Sequence, residues 1–214
     1  MEKLVIYGAG GFGREVLTLI HDINQVNTKY EILGFYDDGL YAGKDVNGYK
    51  ILGGINALNK VSERTSVILA IGNPDTKRNI LEKIRNPYIE FPTVIHPSVM
   101  IGDTKYVSIG RGCIICGGVI MTTNITVNDF VILNLSCTVG HDTVIGKYAA
   151  FMPSVNISGE VQIGESVYVG TGAKIINQLS IGAGSIIGAG AVVAKDIPSN
   201  CTAVGVPAKV IKYH

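Results

Sequence analysis

IGESVYVGTGAKIINQLSIGAGSIIGAG, residues 163–190, decides the fold. Counting every sixth residue from Ile163 gives Val169, Ile175, Ile181 and Ile187, each large and apolar. The same count runs back through Ile157, Phe151, Ile145, Val139, Leu133, Val127, Met121 and Ile115 to Ile109, and forward to Val193. A second series lies four residues further on: Cys113, Val119, Ile125, Val131, Cys137, Thr143, Ala149, Val155, Val161, Val167, Ala173, Leu179, Ser185, Ala191 and Ile197. Its members are almost all small or β-branched. Helices repeat every ~3.6 residues and half-buried strands every ~2, so neither accounts for a period of six. A β-solenoid does. Short strands form flat faces, and the sixth side chain always points inward. Three faces per coil make about eighteen residues, so the run spans about five coils and stands roughly 24 Å tall. Glycine often follows the large residue, as in Ile145-Gly146, Ile163-Gly164 and Ile187-Gly188, where a corner with unusual φ/ψ is expected. The period does not fix the hand of the coil.

The chain has 214 residues, 47% hydrophobic and 16% charged, with a net charge of +1. That balance excludes a disordered chain and gives no reason to expect nucleic acid or an anionic membrane as partner. The opening MEKLVIYGAG lacks the apolar length and cleavage site of a signal peptide, and no stretch reaches the ~18 apolar residues of a membrane span. A cytoplasmic location is expected. Cys113 and Cys116 have CxxC spacing but no second ligand pair, so with Cys137 and Cys201 they read as buried, unbridged thiols, and no metal is expected.

Before residue 93 the pattern is different. LVIYGAG (4–10) is a strand breaking on glycine, and FGREVLTLIHDIN (12–24) has helical spacing with Val16, Leu19, Ile20 and Ile23 on one side. YEILGFYDD and SVILAIG read as further strands and NPDTKRNILEKIRN as a second helix, before FPTVIHP closes the half. Strand–helix alternation implies a parallel sheet, here a Rossmann-like α/β domain over 1–92 followed by the solenoid over 93–214. Gly8-Ala9-Gly10-Gly11-Phe12-Gly13 fits G-x-G-x-x-G between strand and helix, where backbone amides favour a bound phosphate. Asp37 and Asp38 follow the second strand, where a ribose-binding acid sits. About 90 residues supply one mononucleotide-binding half, which suits a single nucleotide diphosphate better than NAD.

The [Ile/Leu/Val]-Gly-x-x-small-x repeat resembles the hexapeptide repeat of left-handed β-helix acyltransferases. The tail AVVAKDIPSNCTAVGVPAKVIKYH (191–214) is similar to the terminal segment of that family, with Gly205-Val206-Pro207-Ala208-Lys209 as its motif. A glycine-loop nucleotide half joined to such a solenoid resembles the bacterial sugar O- and N-acetyltransferases: sialic acid O-acetyltransferases, UDP-4-amino-sugar N-acetyltransferases and perosamine N-acetyltransferases. The resemblance implies a left-handed coil, acetyl-CoA as co-substrate and a homotrimer with active sites between subunits. It also implies an N-acetyltransferase for the amine of a UDP-4-amino-4,6-dideoxy-sugar type of nucleotide sugar, in surface polysaccharide synthesis. Carried onto this chain, Gly10, Gly11, Phe12 and Gly13 line the diphosphate, Asp37 and Asp38 the ribose or base, and Gly72 and Asn73 a second turn facing the nucleotide.

In this family a histidine followed by an acid is catalytic, within a segment matched here by Asn134-Leu-Ser-Cys-Thr-Val139-Gly-His141-Asp142-Thr-Val144-Ile145-Gly146. His141 stands two residues after the inward Val139 and is expected outside the core. Acetyl transfer needs a base that accepts a proton near neutral pH, and a carboxylate beside an imidazole stabilises its charged form. Asn134 is expected to orient the sugar or His141. The acetyl-CoA set is Ala150, Gly159, Gly170, Thr171, Gly188, Ala189 and Lys209. Gly170 and Gly188 are expected to stack as a column that leaves a groove for the pantetheine arm, and the resemblance implies that Lys209 meets the phosphates. Ala150 departs from relatives that have a second, donor-contacting histidine there. Cys137 belongs to an inward series, which argues against a thiol nucleophile. His21, His96 and His214 read as structural or solvated. The same motifs also fit O-acetylation of sialic acid or another sugar hydroxyl and, without catalysis, a nucleotide-sugar-binding scaffold.

Overall fold

In a computed structural model describing Met1–His214 throughout, the chain divides into two compact units, Met1–Pro97 and Ser98–His214. The junction falls five residues past the expected 92/93. His96 accounts for part of this, because its Nε2 lies 3.1 Å from the Asp22 carboxylate and ties that segment to the first unit.

The first unit holds β1 (Glu2–Tyr7), α1 (Gly11–Val26), β2 (Tyr30–Tyr36), β3 (Asp45–Val46), β4 (Tyr49–Gly53), α2 (Ile55–Leu58), β5 (Thr65–Leu69), α3 (Pro74–Lys83) and β6 (Ile89–Glu90). The strand order is β3-β4-β2-β1-β5-β6, parallel except for the β3–β4 hairpin. The chain moves outward from β1 to β2 and β4, then crosses to the other side of β1 for β5. The ends of β1 and β5 therefore flank a topological switch point, where open α/β sheets bind ligands. Val16, Leu17, Leu19 and Ile20 bury one side of α1, while Ile23 is only partly covered.

The second unit is the solenoid, with a rung-to-rung offset of eighteen residues: Val127 pairs with Ile145, Ile145 with Ile163 and Ile163 with Ile181. A first face stacks six strands, from Met100–Ile101 to Val192–Val193, and a second stacks five, from Val107–Ile109 to Ser180–Ile181. A third runs upward from Ile114–Ile115 and closes with the antiparallel hairpin Cys201–Val204/Lys209–Tyr213. That hairpin caps the stack, which parallel pairing alone would leave open. The inward series is buried from Ile115 to Val193, and only Ile109, on the lowest rung, stays partly exposed. Each such Ile, Leu or Val is worth about 1.5–3 kcal/mol when fully buried.

The corners correct one expectation. The glycines just after the large residues do not have the unusual φ. A Cβ on Gly146, Gly164 or Gly170 would come within 2.5–2.6 Å of backbone atoms in the next coil, so close approach is what requires glycine there. The left-handed conformation falls two residues later, at Gly118, Asn124, Phe130, Ser136, Asp142, Tyr148, Ser154 and Glu160, with φ between 54° and 74°. For non-glycine residues this costs about 1–2 kcal/mol each. An amide bond to the coil below offsets it, as Asp142 N–H to Thr123 O (3.2 Å) and Glu160 N–H to His141 O (2.7 Å) show.

Candidate active site

His141 sits on the corner between the first and second faces, after Thr138–Val139 and before Val144–Ile145. Its side chain is 55% exposed. Nδ1 lies 2.8 Å from Asp142 Oδ2, and Asp142 Oδ1 accepts a 3.0 Å bond from Asn124 Nδ2. These bonds hold the Asp142 carboxyl below its ordinary pKa, the imidazole contributing most and Asn124 next. An ionised carboxylate only accepts, so Nδ1 carries a proton, and in the neutral imidazole Nε2 then bears the lone pair. The ring lies against Gly159, eighteen residues on, where a Cβ would fall 2.5 Å from Nε2 and 2.6 Å from Cε1. Gly159 is thus a seat for the imidazole.

Below this corner, on the first face, a groove of about 740 Å³ is lined by Met100, Asp103, Ile120, Thr122 and Thr123. Its walls escaped the sequence reading. Their signal was position, since Met100 and Ile120 precede the inward Ile101 and Met121 and so face outward, 64% and 41% exposed.

Asn134 stands elsewhere. It follows Ile132–Leu133 on the corner between the third and first faces, buried, with its side-chain oxygen accepting from the Leu135 amide at 2.7 Å. A full face separates it from His141 in the same chain, so it does not reach its own chain's imidazole. Gly170, Thr171, Gly188 and Ala189 share its corner, at and just past the ends of Tyr168–Val169 and Ile186–Ile187. Thr171 and Ala189 are exposed, Gly170 is packed against Ala189, and Val204 covers Gly188. The tail closes over this corner, through Val192 N–H to Gly205 O (3.0 Å) and Ala208 N–H to Val192 O (2.8 Å), bringing exposed Lys209 beside it. Ala150 is withdrawn from the acetyl-CoA set because its side chain is fully buried, 0% exposed, within the third face. Cys137 is also buried, and burial pushes its thiol up to about 11, so it is no nucleophile.

In the first unit, Gly10 caps α1 without a side-chain bond and no acid occupies the first turn, leaving the helix amides available to an anion. Gly10 and Gly11 face open space, whereas a Cβ on Gly13 would lie 1.9 Å from Gly8 O. Gly13 therefore lets helix and loop pack, and Phe12 is half-buried. Asp37 accepts from the Ala9 amide at 2.9 Å and the Gly39 amide at 2.8 Å. It lines a pocket of about 510 Å³ with Gly10, Arg14, Lys44 and Asn47. Asp38 is turned away, holding the Tyr7 hydroxyl at 2.6 Å and the Ile55 amide at 2.8 Å, and is withdrawn from the ribose role. Gly72 and Asn73 follow β5 at the switch point; Gly72 is open, while Asn73 caps α3 by accepting from the Thr76 amide at 2.8 Å. Arg14 and Lys44 add two cations missed in the sequence. His21 packs edge-on to Tyr49 and His214 reaches Thr202, in keeping with structural roles.

A six-residue solenoid with an outward histidine–carboxylate pair, a second corner stripped of side chains and a preceding glycine-loop α/β domain defines a hexapeptide acyltransferase with its own nucleotide domain. Family models agree: residues 3–84 match the PglD N-terminal domain and 160–195 the bacterial transferase hexapeptide (six repeats). GDP-perosamine N-acetyltransferase of Escherichia coli O157:H7 is 36% identical over 214 residues, 97% of this chain and 95% of that protein. A histidine-to-asparagine variant of perosamine N-acetyltransferase from Caulobacter crescentus, in complex with CoA and GDP-perosamine, superposes with a TM-score of 0.90 at 28% identity, covering 99% of this chain and 98% of that one. The acetyltransferase domain of PglB from Neisseria gonorrhoeae FA1090 in complex with acetyl coenzyme A gives 0.88 at 33% identity, covering 98% and 99%. The chain belongs to this family of sugar acetyltransferases, an acyltransferase with a left-handed β-helix. No helix is long and apolar enough to cross a membrane.

Proposed function

We propose that the protein transfers the acetyl group of acetyl-CoA to the amine of a nucleotide-diphosphate-linked amino-deoxy sugar, with His141 as general base. The single observation that carries this is the Asn124–Asp142–His141 chain, which occupies Nδ1 and leaves Nε2 beside Gly159 as the ring nitrogen free to accept a proton. The relatives supply the substrate class. The E. coli and Caulobacter proteins bear GDP-perosamine in their names or complexes, so guanosine is preferred here over the uridine that the family resemblance implied.

In this reading the diphosphate sits on the open amides of Gly10 and Gly11, with Arg14 and Lys44 at its edge and Asp37 towards the ribose. The sugar's amine is the group whose proton Nε2 of His141 receives. The amine attacks the thioester carbonyl, His141 takes the proton as the tetrahedral intermediate forms, and that proton passes to the leaving thiolate. The developing oxyanion needs a positioned donor, a role suited to the Gly159 backbone N–H beside the ring. Acetyl-CoA lies along the corner of Thr171, Ala189 and Lys209. Because that corner and His141 are a face apart in one chain, a neighbouring copy completes the site, in keeping with a closed homotrimer. Both substrates place the reaction in the cytoplasm.

The test is thiol release from acetyl-CoA with a panel of GDP-, UDP- and dTDP-linked 4-amino sugars and free sialic acid. Turnover with the GDP-linked amine is expected. Turnover with the UDP-linked amine alone would change the base, and turnover with sialic acid alone would replace N-acetylation by O-acetylation.

A further inference from the structure

The carboxylate that holds the imidazole is itself held. Asn124 lies eighteen residues before Asp142, directly below it on the same corner, and both adopt the left-handed conformation (φ 54° and 58°). Asn124 Nδ2 donates to Oδ1 at 3.0 Å, which leaves Oδ2 for the imidazole at 2.8 Å. The corner backbone does not require asparagine, since glycine, serine, phenylalanine and tyrosine occupy equivalent corners at Gly118, Ser136, Phe130 and Tyr148. One coil above Asp142 stands a second acid, Glu160, about 4.8 Å away along the stack. Its carboxylate is taken by Gln178 Nε2 at 3.2 and 3.3 Å. The column therefore reads amide, acid, acid, amide. Each acid is drawn to the amide on its outer side, and Asp142 is left to Asn124 and His141 alone.

We propose that Asn124 is a positioning residue for acetyl transfer, clamping Asp142 in the orientation that fixes the imidazole proton on Nδ1 and presents Nε2 to the acceptor. The inference rests on His141 being the base. It goes further in assigning a function to a side chain that touches neither substrate. The acids on the imidazole's own stack are Asp142 beside it and Glu160 one coil above, while Asp103 lines the groove lower on the first face.

Two variants test it. Asn124→Gly keeps a residue suited to the left-handed corner and removes the donor. Asn124→Asp keeps the shape and replaces the donor with a third carboxylate in the column. The glycine variant should lose kcat on the order of tenfold, with an unchanged KM for acetyl-CoA and an unfolding midpoint close to the parent's. The acid limb of its kcat/KM profile should move to lower pH, because a loosened carboxylate favours the protonated imidazole less. In the aspartate variant the added negative charge should move that limb to higher pH. Opposite shifts cannot come from a general loss of packing. Unchanged kcat and profile in the glycine variant, or a loss matched only by a lower unfolding midpoint, would overturn the assignment. His141→Ala is measured alongside. If it is inactive while Asn124→Gly behaves as parent, only this inference fails; if it retains full activity, the base fails first and the inference with it.

Discussion

Two corners of one solenoid share a backbone path and differ in what hangs from it. On the His141 corner the side chains form a connected stack: Asn124 to Asp142, Asp142 to His141, and the ring on Gly159. On the corner of Gly170, Thr171, Gly188 and Ala189 they are nearly absent, and the C-terminal hairpin folds over what remains. The first corner arranges donors and acceptors around one nitrogen; the second makes room for something long and thin. A solenoid suits this division because each rung repeats the same geometry, so chemistry is set by which side chain a corner bears.

The largest effect should come from removing the proposed base. His141→Ala is expected to lower kcat between about a hundredfold and ten-thousandfold, measured by thiol release at saturating substrates. Next is Gly159→Ala. The added methyl would lie 2.5 Å from Nε2, and the ring, being the end of a side chain, swings aside rather than disrupting the coil. A fall in kcat of about tenfold or more is expected with little change in melting temperature; equal losses of both would mean the glycine serves the coil and not the imidazole. On the bare corner the effect should change kind. Ala189→Tyr fills exposed space and is expected to raise the KM for acetyl-CoA about tenfold, with kcat little altered. Smallest is the response to thiol reagents. All four cysteines are buried and unbridged, and Cys137 is held as the thiol with its pKa at about 11. Alkylation at pH 8 should leave activity intact. Because that pKa is raised by folding, the stability it confers is complete below the ordinary thiol range and is lost as pH climbs through about 11.

The solenoid was legible because each side chain of the inward series answers to one position in space, so a single period exposes it. The corners were less so. Phe130, Tyr148 and Gln178 are poor guides to a left-handed backbone, which they adopt because the coil imposes it and an amide bond below offsets the cost. Asn124 was missed although the period leads to it, eighteen residues before Asp142, because a corner asparagine looks like a turn residue. The β3–β4 hairpin also carried a signal, Asn47-Gly48, with both residues at positive φ (49° and 84°). Asp38 misled for a physical reason. An acid after β2 reads as a ribose ligand, but the short α2 and the Tyr7 hydroxyl claim both its oxygens, and neither partner is adjacent in sequence.

In the proposed reading the two corners meet only between copies of the chain. Co-expressing His141→Ala with Ala189→Tyr tests it most directly, under acetyl-CoA concentrations at which each variant alone is nearly silent. With random mixing into closed trimers, mixed assemblies have one site in which both corners are native, and about a quarter of the parent activity should return. Recovery at that level is the predicted result. Activity no greater than the two variants assayed apart would contradict it and return both corners to a single chain.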